Sequence, residues 1–248
     1  MGKREIIFSL LCSLALGTYA EDDFGLWTSI GAQKKIDKQW SIELDGGLRM
    51  RDNVSTVDRW DIGINGGYKI AKWLRVSAGY TLLYDNNEEK TTYKKKDSSK
   101  KNKYTPSYWG IRHRFTVALT GQADIGRVTL SLRERWQYTY RPEKTVERYD
   151  YDEEAWEDKT VRGKGKNVLR SRLKAKYNIR KSDIDPFAEV ELFNSWSLQK
   201  TRLKIGADWK ISKHHALSLA YGYQDAGSDD DDGDANTHFI NIGYEFKF

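Results

Sequence analysis

Cysteine is almost missing from this chain of 248 residues: Cys12 is the only one. It lies in an N-terminal apolar stretch, so the rest of the chain can form neither a disulfide framework nor a thiolate metal site or nucleophile. Long apolar runs are missing as well. After the N-terminal stretch, no run approaches the roughly 20 apolar residues that a membrane-spanning helix needs. A helical protein of the inner membrane is therefore not expected.

The N-terminus has the pattern of a secretory signal peptide. Two basic residues come first, an apolar segment fills 6–17, and Ala20 ends a plausible cleavage site. The apolar part, about 12 residues, is too short for a membrane anchor. Because no Pro- or Ser-rich linker interrupts the remainder, we predict a cleaved signal peptide at 1–20 and a single domain at 21–248.

Apolar and polar residues alternate through eleven short segments of the remaining chain. In the second segment, Ile42 and Leu44 alternate with Glu43 and Asp45, so one face is apolar and the other is charged. Most segments have about the 9–11 residues with which a tilted strand crosses a bilayer. The predicted strands are 24–34, 40–51, 59–70, 74–84, 108–120, 128–140, 168–179, 186–194, 199–211, 216–224 and 238–248.

The charged faces carry too many arginines and lysines for the interior of an ordinary soluble domain. A closed barrel accommodates them, because its apolar face contacts lipid and its polar face lines a lumen. We therefore predict an all-β fold, a single antiparallel up-and-down transmembrane β-barrel. Since bacterial barrels have an even number of strands, about 12 are expected, or about 10 if segment 24–34 is an extra strand or lies in the lumen.

The connections between the predicted strands alternate between short and long. The long ones, 85–107, 141–167 and 225–237, match the extracellular loops of outer-membrane barrels, whose periplasmic turns are short. The first is rich in lysine, and the second mixes both signs of charge. We expect solvated, mobile loops, with pairing between their charges or contact with lipopolysaccharide as alternatives.

The phase of each strand predicts more basic than acidic side chains in the lumen, and a ring of Arg or Lys favours anions in a pore. The predicted function is a porin-like barrel with a narrow, passive, anion-favouring channel. The alternative is a non-conducting structural or adhesive barrel filled by its own ion pairs, because about 10–12 strands lie between the filled and open sizes. The predicted basic lumen residues are Arg49, Arg51, Lys69, Arg75, Arg112, Arg114, Arg133, Arg135, Arg170, Arg172, Lys174, Lys176, Arg202 and Lys204. The predicted acidic ones are Glu43, Asp45, Asp61, Glu189, Glu191, Asp208 and Glu245.

Metal binding and catalysis have little support in the sequence. Clustered carboxylates at Asp230, Asp232 and Asp234 are the candidate calcium ligands, but the EF-hand spacing fails. No metal or cofactor is therefore predicted. The four histidines are not accompanied by a nucleophile motif, so an outer-membrane lipid-modifying enzyme is the less favoured class. His113 and Glu134 interrupt apolar faces, and we expect them to form a structural cross-strand pair.

Several segments resemble an uncharacterised bacterial outer-membrane β-barrel family, domain of unknown function 2490. They are 21–27 (EDDFGLW), 49–52 (RMRD), 186–193 (PFAEVELF), 201–203 (TRL), 213–219 (KHHALSL) and 221–224 (YGYQ). The resemblance implies the outer membrane of a Gram-negative bacterium and no assigned activity. Phe248 also resembles the aromatic residue that barrel-assembly machinery recognises. The expected partners are that machinery, outer-membrane lipid, lipopolysaccharide and small anionic solutes. Nucleic-acid binding is not expected, and the protein is expected to be a monomer.

Overall fold

The computed structural model describes residues 23–95, 97–227 and 236–248. The predicted signal peptide and the three acidic calcium candidates lie outside these residues. Within them, no helix is long and apolar enough to cross a membrane. The strands are β1 (Asp23–Lys35), β2 (Trp40–Arg51), β3 (Thr56–Ala71), β4 (Leu74–Asn87), β5 (Lys90–Lys94), β6 (Asp97–Thr105), β7 (Tyr108–Ile125), β8 (Val128–Arg141), β9 (Lys144–Asp150), β10 (Ala155–Val161), β11 (Lys164–Tyr177), β12 (Ile184–Ser195), β13 (Ser197–Lys210), β14 (His215–Ala226) and β15 (Thr237–Lys247).

Eleven of these strands close into one barrel in the order β1-β15-β14-β13-β12-β11-β8-β7-β4-β3-β2. Every strand predicted from the alternation is present in the barrel wall. The expectations of twelve strands and of ten are both wrong. The first strand belongs to the wall and does not occupy the lumen.

The closure of the barrel explains the odd count. Strands β1 and β15 point the same way and pair in parallel, from Asp23 opposite Thr237 to Gln33 opposite Lys247. All other barrel pairs are antiparallel. The prediction of twelve assumed that neighbouring strands must always run in opposite directions, and one parallel seam removes that need.

Alternation along each strand separates two chemically different faces. Large apolar side chains on the outer face remain exposed, as Ile62 (58%), Leu132 (53%) and Leu203 (49%) do. The residues that are fully buried lie in the interior, where Leu83 and Phe239 are accompanied by carboxylates such as Asp185. An apolar exterior around a polar, charged interior is the arrangement of a transmembrane barrel.

The short connections are ordered by local hydrogen bonds. In the β1–β2 turn, the Asp37 carboxylate accepts hydrogen bonds from the backbone N–H groups of Gln39 (2.7 Å) and Trp40 (2.6 Å). These two bonds hold the pKa of Asp37 below its usual value, and the bond from Trp40 has the larger effect. The β7–β8 turn contains Gly126 with φ +63°, a conformation that glycine adopts without strain.

Two of the long connections form a second sheet instead of irregular loops, so the prediction of mobile loops is wrong for their paired residues. Strands β10, β9, β6 and β5 make a four-stranded extension at the end of the barrel that carries the long connections. Opposite charges pair across it, as the alternative expectation held: Lys103 Nζ lies 2.8 Å from both Asp150 Oδ2 and Glu157 Oε1. Lys94 also pairs with Asp152.

Candidate functional site in the barrel interior

One wall of the interior is built around the carboxylates of β12. The inward positions of this strand from Asp185 to Phe193 are all buried, and Glu189 and Glu191 lie there between Phe187 and Phe193. The neighbouring strands β8, β11 and β13 present arginines and lysines toward them. We call these four strands the paired wall.

Glu191 is the centre of the paired wall. Its carboxylate oxygens lie 2.8 Å from Arg133 and 2.8 Å from Arg170, and 3.5 Å from Arg202. The three arginines come from three different strands, so the strand register brings them together. A single buried carboxylate is thereby shared among three cations, in charge-assisted hydrogen bonds that are stronger than neutral ones.

A second tier of ion pairs lies nearer the short turns. Glu189 pairs with Lys204 at 2.7 Å and with Arg172 at 3.6 Å. Asp208 lies 3.5 Å from Lys174 and accepts a hydrogen bond from Ser218 Oγ at 2.9 Å. One of these cations also contacts an aromatic ring, since Lys174 Nζ lies 3.7 Å from the Phe187 ring centroid.

The opposite wall, formed by β2, β3 and β4, has a different construction. Its inward positions include Gly47 and Gly63, and a Cβ on Gly63 would lie only 2.6 Å from Asp45 Oδ2. The carboxylate thus occupies the space that the glycine leaves open. Asn65 donates a hydrogen bond to Asp45 at 2.8 Å. Among the residues described, no lysine or arginine lies within 4.0 Å of the predicted lumen acids Glu43, Asp45 and Asp61. We call these three strands the glycine wall.

A cavity of about 540 Å³ opens between the walls at the end with the long connections. We call it the mouth cavity. It is lined by thirteen lysines and arginines but by only five aspartates and glutamates. Trp27 lies on its wall, stacked on Phe239 with 3.7 Å between ring centroids. The Trp27 ring also contacts the guanidinium groups of Arg49 (4.3 Å) and Arg202 (4.7 Å).

The structure separates the predicted lumen residues along the barrel. None of the seven predicted acids lines the mouth cavity, whereas six of the fourteen predicted bases do. Those six are Arg49, Arg51, Arg112, Arg114, Arg170 and Arg202. Arg133, Arg135, Arg172 and Lys174 lie closer to the short turns and do not line it. The positive excess expected for the whole lumen is therefore concentrated at one end.

Seven of the thirteen bases and all five acids that line the mouth cavity are absent from the predicted lumen residues, and so is Trp27. Asp85 is 4% exposed and pairs with Arg112 at 3.0 Å and also with Arg59. Asp85 lies just beyond the predicted fourth strand (74–84), which continues to Asn87 in the structure, and its side chain continues the inward phase. The same phase rule would have found Arg59. For Trp27 there was no signal, because an inward tryptophan has the same local pattern as one at a membrane interface.

On the outer face, the predicted pair between His113 and Glu134 is wrong. In the β7–β8 register, His113 lies opposite Tyr140, and Glu134 lies opposite Leu119. The predicted turn was misplaced by several residues, which shifted the register. His113 Nδ1 instead bonds with the Tyr80 hydroxyl at 2.8 Å, and Glu134 accepts a hydrogen bond from Ser171 at 2.6 Å.

The other histidine rings bond to tyrosine or backbone oxygens. His215 bonds with Tyr244, His238 with Tyr221, and His214 with the Lys247 carbonyl. No group of three His, Cys, Asp or Glu residues in the described part of the chain could hold a metal ion.

This geometry can be compared with known proteins. The translocator domain of the autotransporter NalP from Neisseria meningitidis is similar, with a TM-score of 0.57, 11% identity and coverage of 92% of this chain and 90% of that one. The β domain of the Bordetella autotransporter BrkA is similar with a TM-score of 0.50 and 13% identity, covering 83% and 79%. At such identities the likeness concerns the fold alone, and it defines the class: an outer-membrane-type β-barrel.

The family follows from the sequence. Residues 24–234 match the family described as "Protein of unknown function (DUF2490)". The chain belongs to this family, which confirms the resemblance identified in the sequence. No curated protein matches the chain.

Proposed function

We propose that the protein resides in the outer membrane of a Gram-negative bacterium as a narrow, passive pore that favours anions. The observation that carries this proposal is the lining of the mouth cavity, with thirteen basic and five acidic residues. The apolar outer face supports the location. Rings of Arg or Lys at a constriction attract anions and repel cations.

The confined geometry strengthens this preference. Charges that line a narrow space are screened less than charges on an open surface, so their attraction extends across the lumen. An anion that enters from the long-connection end meets the positive excess first. It then passes between the paired wall and the glycine wall.

A non-conducting barrel with a structural or adhesive role is the second candidate. The cluster around Glu191 favours it, because Glu191 and Arg202 are only 2% and 7% exposed. Buried, mutually bonded side chains of this kind also fill the interior of closed barrels.

The remaining assignments complete the proposal. We place the extension outside the cell, where its exposed lysines contact the phosphates of lipopolysaccharide. The barrel-assembly machinery is the partner during insertion, and Phe248, which is 65% exposed, is the feature it would recognise. We propose a monomer without catalytic activity and without nucleic-acid binding.

Recording from planar bilayers tests the pore. Purified, folded protein is expected to give discrete conductance steps, and a potassium chloride gradient is expected to give a reversal potential on the anion-selective side. Charge reversal of the cavity residues, Lys164→Glu with Lys166→Glu, is expected to move the reversal potential toward the cation side.

The matched control is Lys100→Glu with Lys101→Glu, which makes the same charge change in the extension, where neither residue lines the cavity. It is expected to leave selectivity unchanged. Absence of conductance steps would favour the non-conducting barrel. Fractionation of cell membranes tests the location independently.

A further inference from the structure

Among the described residues, three arginines of the mouth cavity, Arg49, Arg114 and Arg141, have no acidic partner, and Arg141 lies at the outer end of β8, where it donates a hydrogen bond to the Arg162 carbonyl. Arg59 and Arg112 both contact Asp85, and Arg51 lies within 3.0–3.4 Å of three different carboxylates. No carboxylate lies within 4.0 Å of Arg49 or Arg114 among the residues the structure describes. Of the deeper arginines of the cavity, Arg49 and Arg114 are thus the ones whose positive charge is least compensated.

Uncharged neighbours orient both of these guanidinium groups. Arg49 lies over the ring of Trp27, its partner in the β1–β2 register, with 4.3 Å to the centroid. Arg114 donates one hydrogen bond to Thr139 Oγ1 at 3.4 Å, from β7 to β8. A guanidinium carries five N–H donors, so most donors of both groups are available to a ligand.

The position of the pair relative to the opening also matters. Arg49 lies one inward position deeper than Arg51, and Arg114 lies one deeper than Arg112, as the alternation of β2 and β7 requires. The charges of Arg59, Arg170 and Arg49 repel that of Arg114, and the charge of Asp85 attracts it from beyond 4.0 Å. Several cations held in one partly enclosed space repel one another unless an anion is added.

The neighbourhood of the opening shows the same excess. Lys159 of the extension also lines the cavity, and its pKa is below the usual value because of partial burial and the nearby charges of Arg148 and Lys90. Lys159 at the rim of the cavity and Arg114 deeper inside it thus both lie among other positive charges.

We propose that the mouth cavity is a saturable binding site for an oxoanion with two negative charges, a phosphate or sulfate group, which Arg49 and Arg114 hold. This inference rests on the proposed function, since it names the class of solute that an anion-favouring barrel would take. Guanidinium groups bind such oxygens through paired N–H donors. The cavity volume of about 540 Å³ accommodates a substituent larger than the anion itself. The group can belong to a soluble ester or to a lipid head group.

Titration calorimetry of the full-length mature barrel tests the site, with protein refolded in nonionic detergent without lipid, at low chloride. Inorganic phosphate and sulfate are the probes, and nitrate is the monovalent control. We expect one saturable site for the dianions. Arg49→Gln and Arg114→Gln are each expected to weaken it about tenfold.

Arg135→Gln is the matched control. Arg135 faces the same lumen and has no carboxylate within 4.0 Å among the described residues, but it does not line the cavity. Its substitution is expected to change the affinity less than about twofold. Phosphate should also raise the unfolding midpoint of the natural protein and not that of the double variant R49Q/R114Q. That variant should fold at least as stably without phosphate, because it has fewer unpaired cations.

The outcomes separate the site from the pore. If no saturable binding occurs and bilayer recordings still show anion selectivity, the site is wrong and the pore remains. Equal loss of binding in Arg135→Gln would also overturn the site, because general lumen charge would then explain it. Binding without conductance supports the site and rejects the pore.

Mass spectrometry of protein extracted from outer membranes identifies the source of the group. A phosphate-bearing lipid on the natural protein that is absent from the double variant supports a lipid head group. Binding of phosphate to the refolded protein, with no lipid on the extracted one, supports a soluble ester.

Discussion

The paired wall and the glycine wall hold buried charge in two different ways. On the paired wall, each central carboxylate contacts at least two cations, and Glu191 contacts three. On the glycine wall, Asp45 lies over a neighbouring glycine and bonds to an amide, and no cation of the described residues lies within 4.0 Å of it. The comparison shows that charged side chains of the paired wall hold one another in place through ion pairs. The carboxylates of the glycine wall face the lumen without such pairs.

Energetics should therefore differ between the walls. Removing one member of a buried ion cluster leaves the others desolvated and uncompensated, which is costly. A carboxylate with space around it and no cation partner can be removed with less loss. The following substitutions break or sharpen this comparison.

The largest effect is expected for Glu191→Ala. The change leaves Arg133, Arg170 and Arg202 together without their common carboxylate, and the free energy of unfolding should fall by about 3–5 kcal/mol. The matched change on the glycine wall, Asp45→Ala, should cost about 1 kcal/mol, the value of its hydrogen bond to Asn65. Urea unfolding of the barrel in phospholipid vesicles, followed by tryptophan fluorescence, measures both. Equal losses would show that the walls are energetically alike.

An arginine added to the outer face should be the next most damaging. Leu132→Arg places a cation toward lipid near the middle of β8, and we expect a loss of about 2–4 kcal/mol in the same unfolding measurement. Ser77→Arg adds the same group to the inner face of the glycine wall, where acids lack cations. Its cost should be below about 1 kcal/mol. A reversed order would contradict the assignment of the two faces.

Glycine-to-alanine substitutions measure how well each wall accommodates an added Cβ atom. A Cβ on Gly206 of the paired wall would meet the Leu219 carbonyl oxygen and Ala220, which belong to the next strand. Because backbone cannot move aside easily, we expect Gly206→Ala to cost about 1–3 kcal/mol. On the glycine wall, Gly63→Ala meets only the end of the Asp45 side chain. Its expected cost is less than about 1 kcal/mol, since a flexible carboxylate can rotate.

The smallest effect concerns the extension, whose ion pairs lie outside the barrel and are partly accessible to solvent. Hydrogen bonds from Lys103 are the largest single cause that lowers the pKa values of both Asp150 and Glu157. A carboxyl group whose pKa is lowered by folding stabilises the folded state at pH values above its ordinary pKa, which is 3.8 for Asp150 and 4.5 for Glu157. This stabilisation is lost as the pH falls through the pKa that the group has in the folded state.

Hydrogen exchange, corrected for its intrinsic pH dependence, should therefore accelerate in β6, β9 and β10 below about pH 4.5 while the barrel strands stay protected. The variant Lys103→Met is the control, because it should exchange faster already at neutral pH and respond less to acid. If hydrogen exchange in the extension of the natural protein does not change as the pH falls, these ion pairs contribute nothing to its stability.

Local patterning was enough to predict most of the barrel. Each of the eleven predicted segments is a strand, and residues such as Leu132 and Arg133 face opposite sides as their alternation requires. The strand count was wrong because it depended on how the ends meet. The pair His113–Glu134 was wrong because a turn shifted by a few residues changes every partner along the hairpin.

The candidate site was less predictable than the fold. The basic lining was found, but its concentration at one end was not, because axial position depends on the stagger of all the strands. The extension was not found either. In the backbone register, its two hairpins join through Lys103 opposite Asp150 and Tyr104 opposite Tyr149, residues from connections that lie far apart in the chain.

By itself, the sequence determined which side chains face inward and which face outward, because the two-residue period of a strand is a local property of the backbone. The tertiary structure alone decided that three arginines from β8, β11 and β13 meet at Glu191, whereas Arg49 and Arg114 meet no acid in the part of the chain that the structure describes. It also decided the parallel closure of β1 on β15. These outcomes depend on register between strands, and register is set by the closing of the whole barrel.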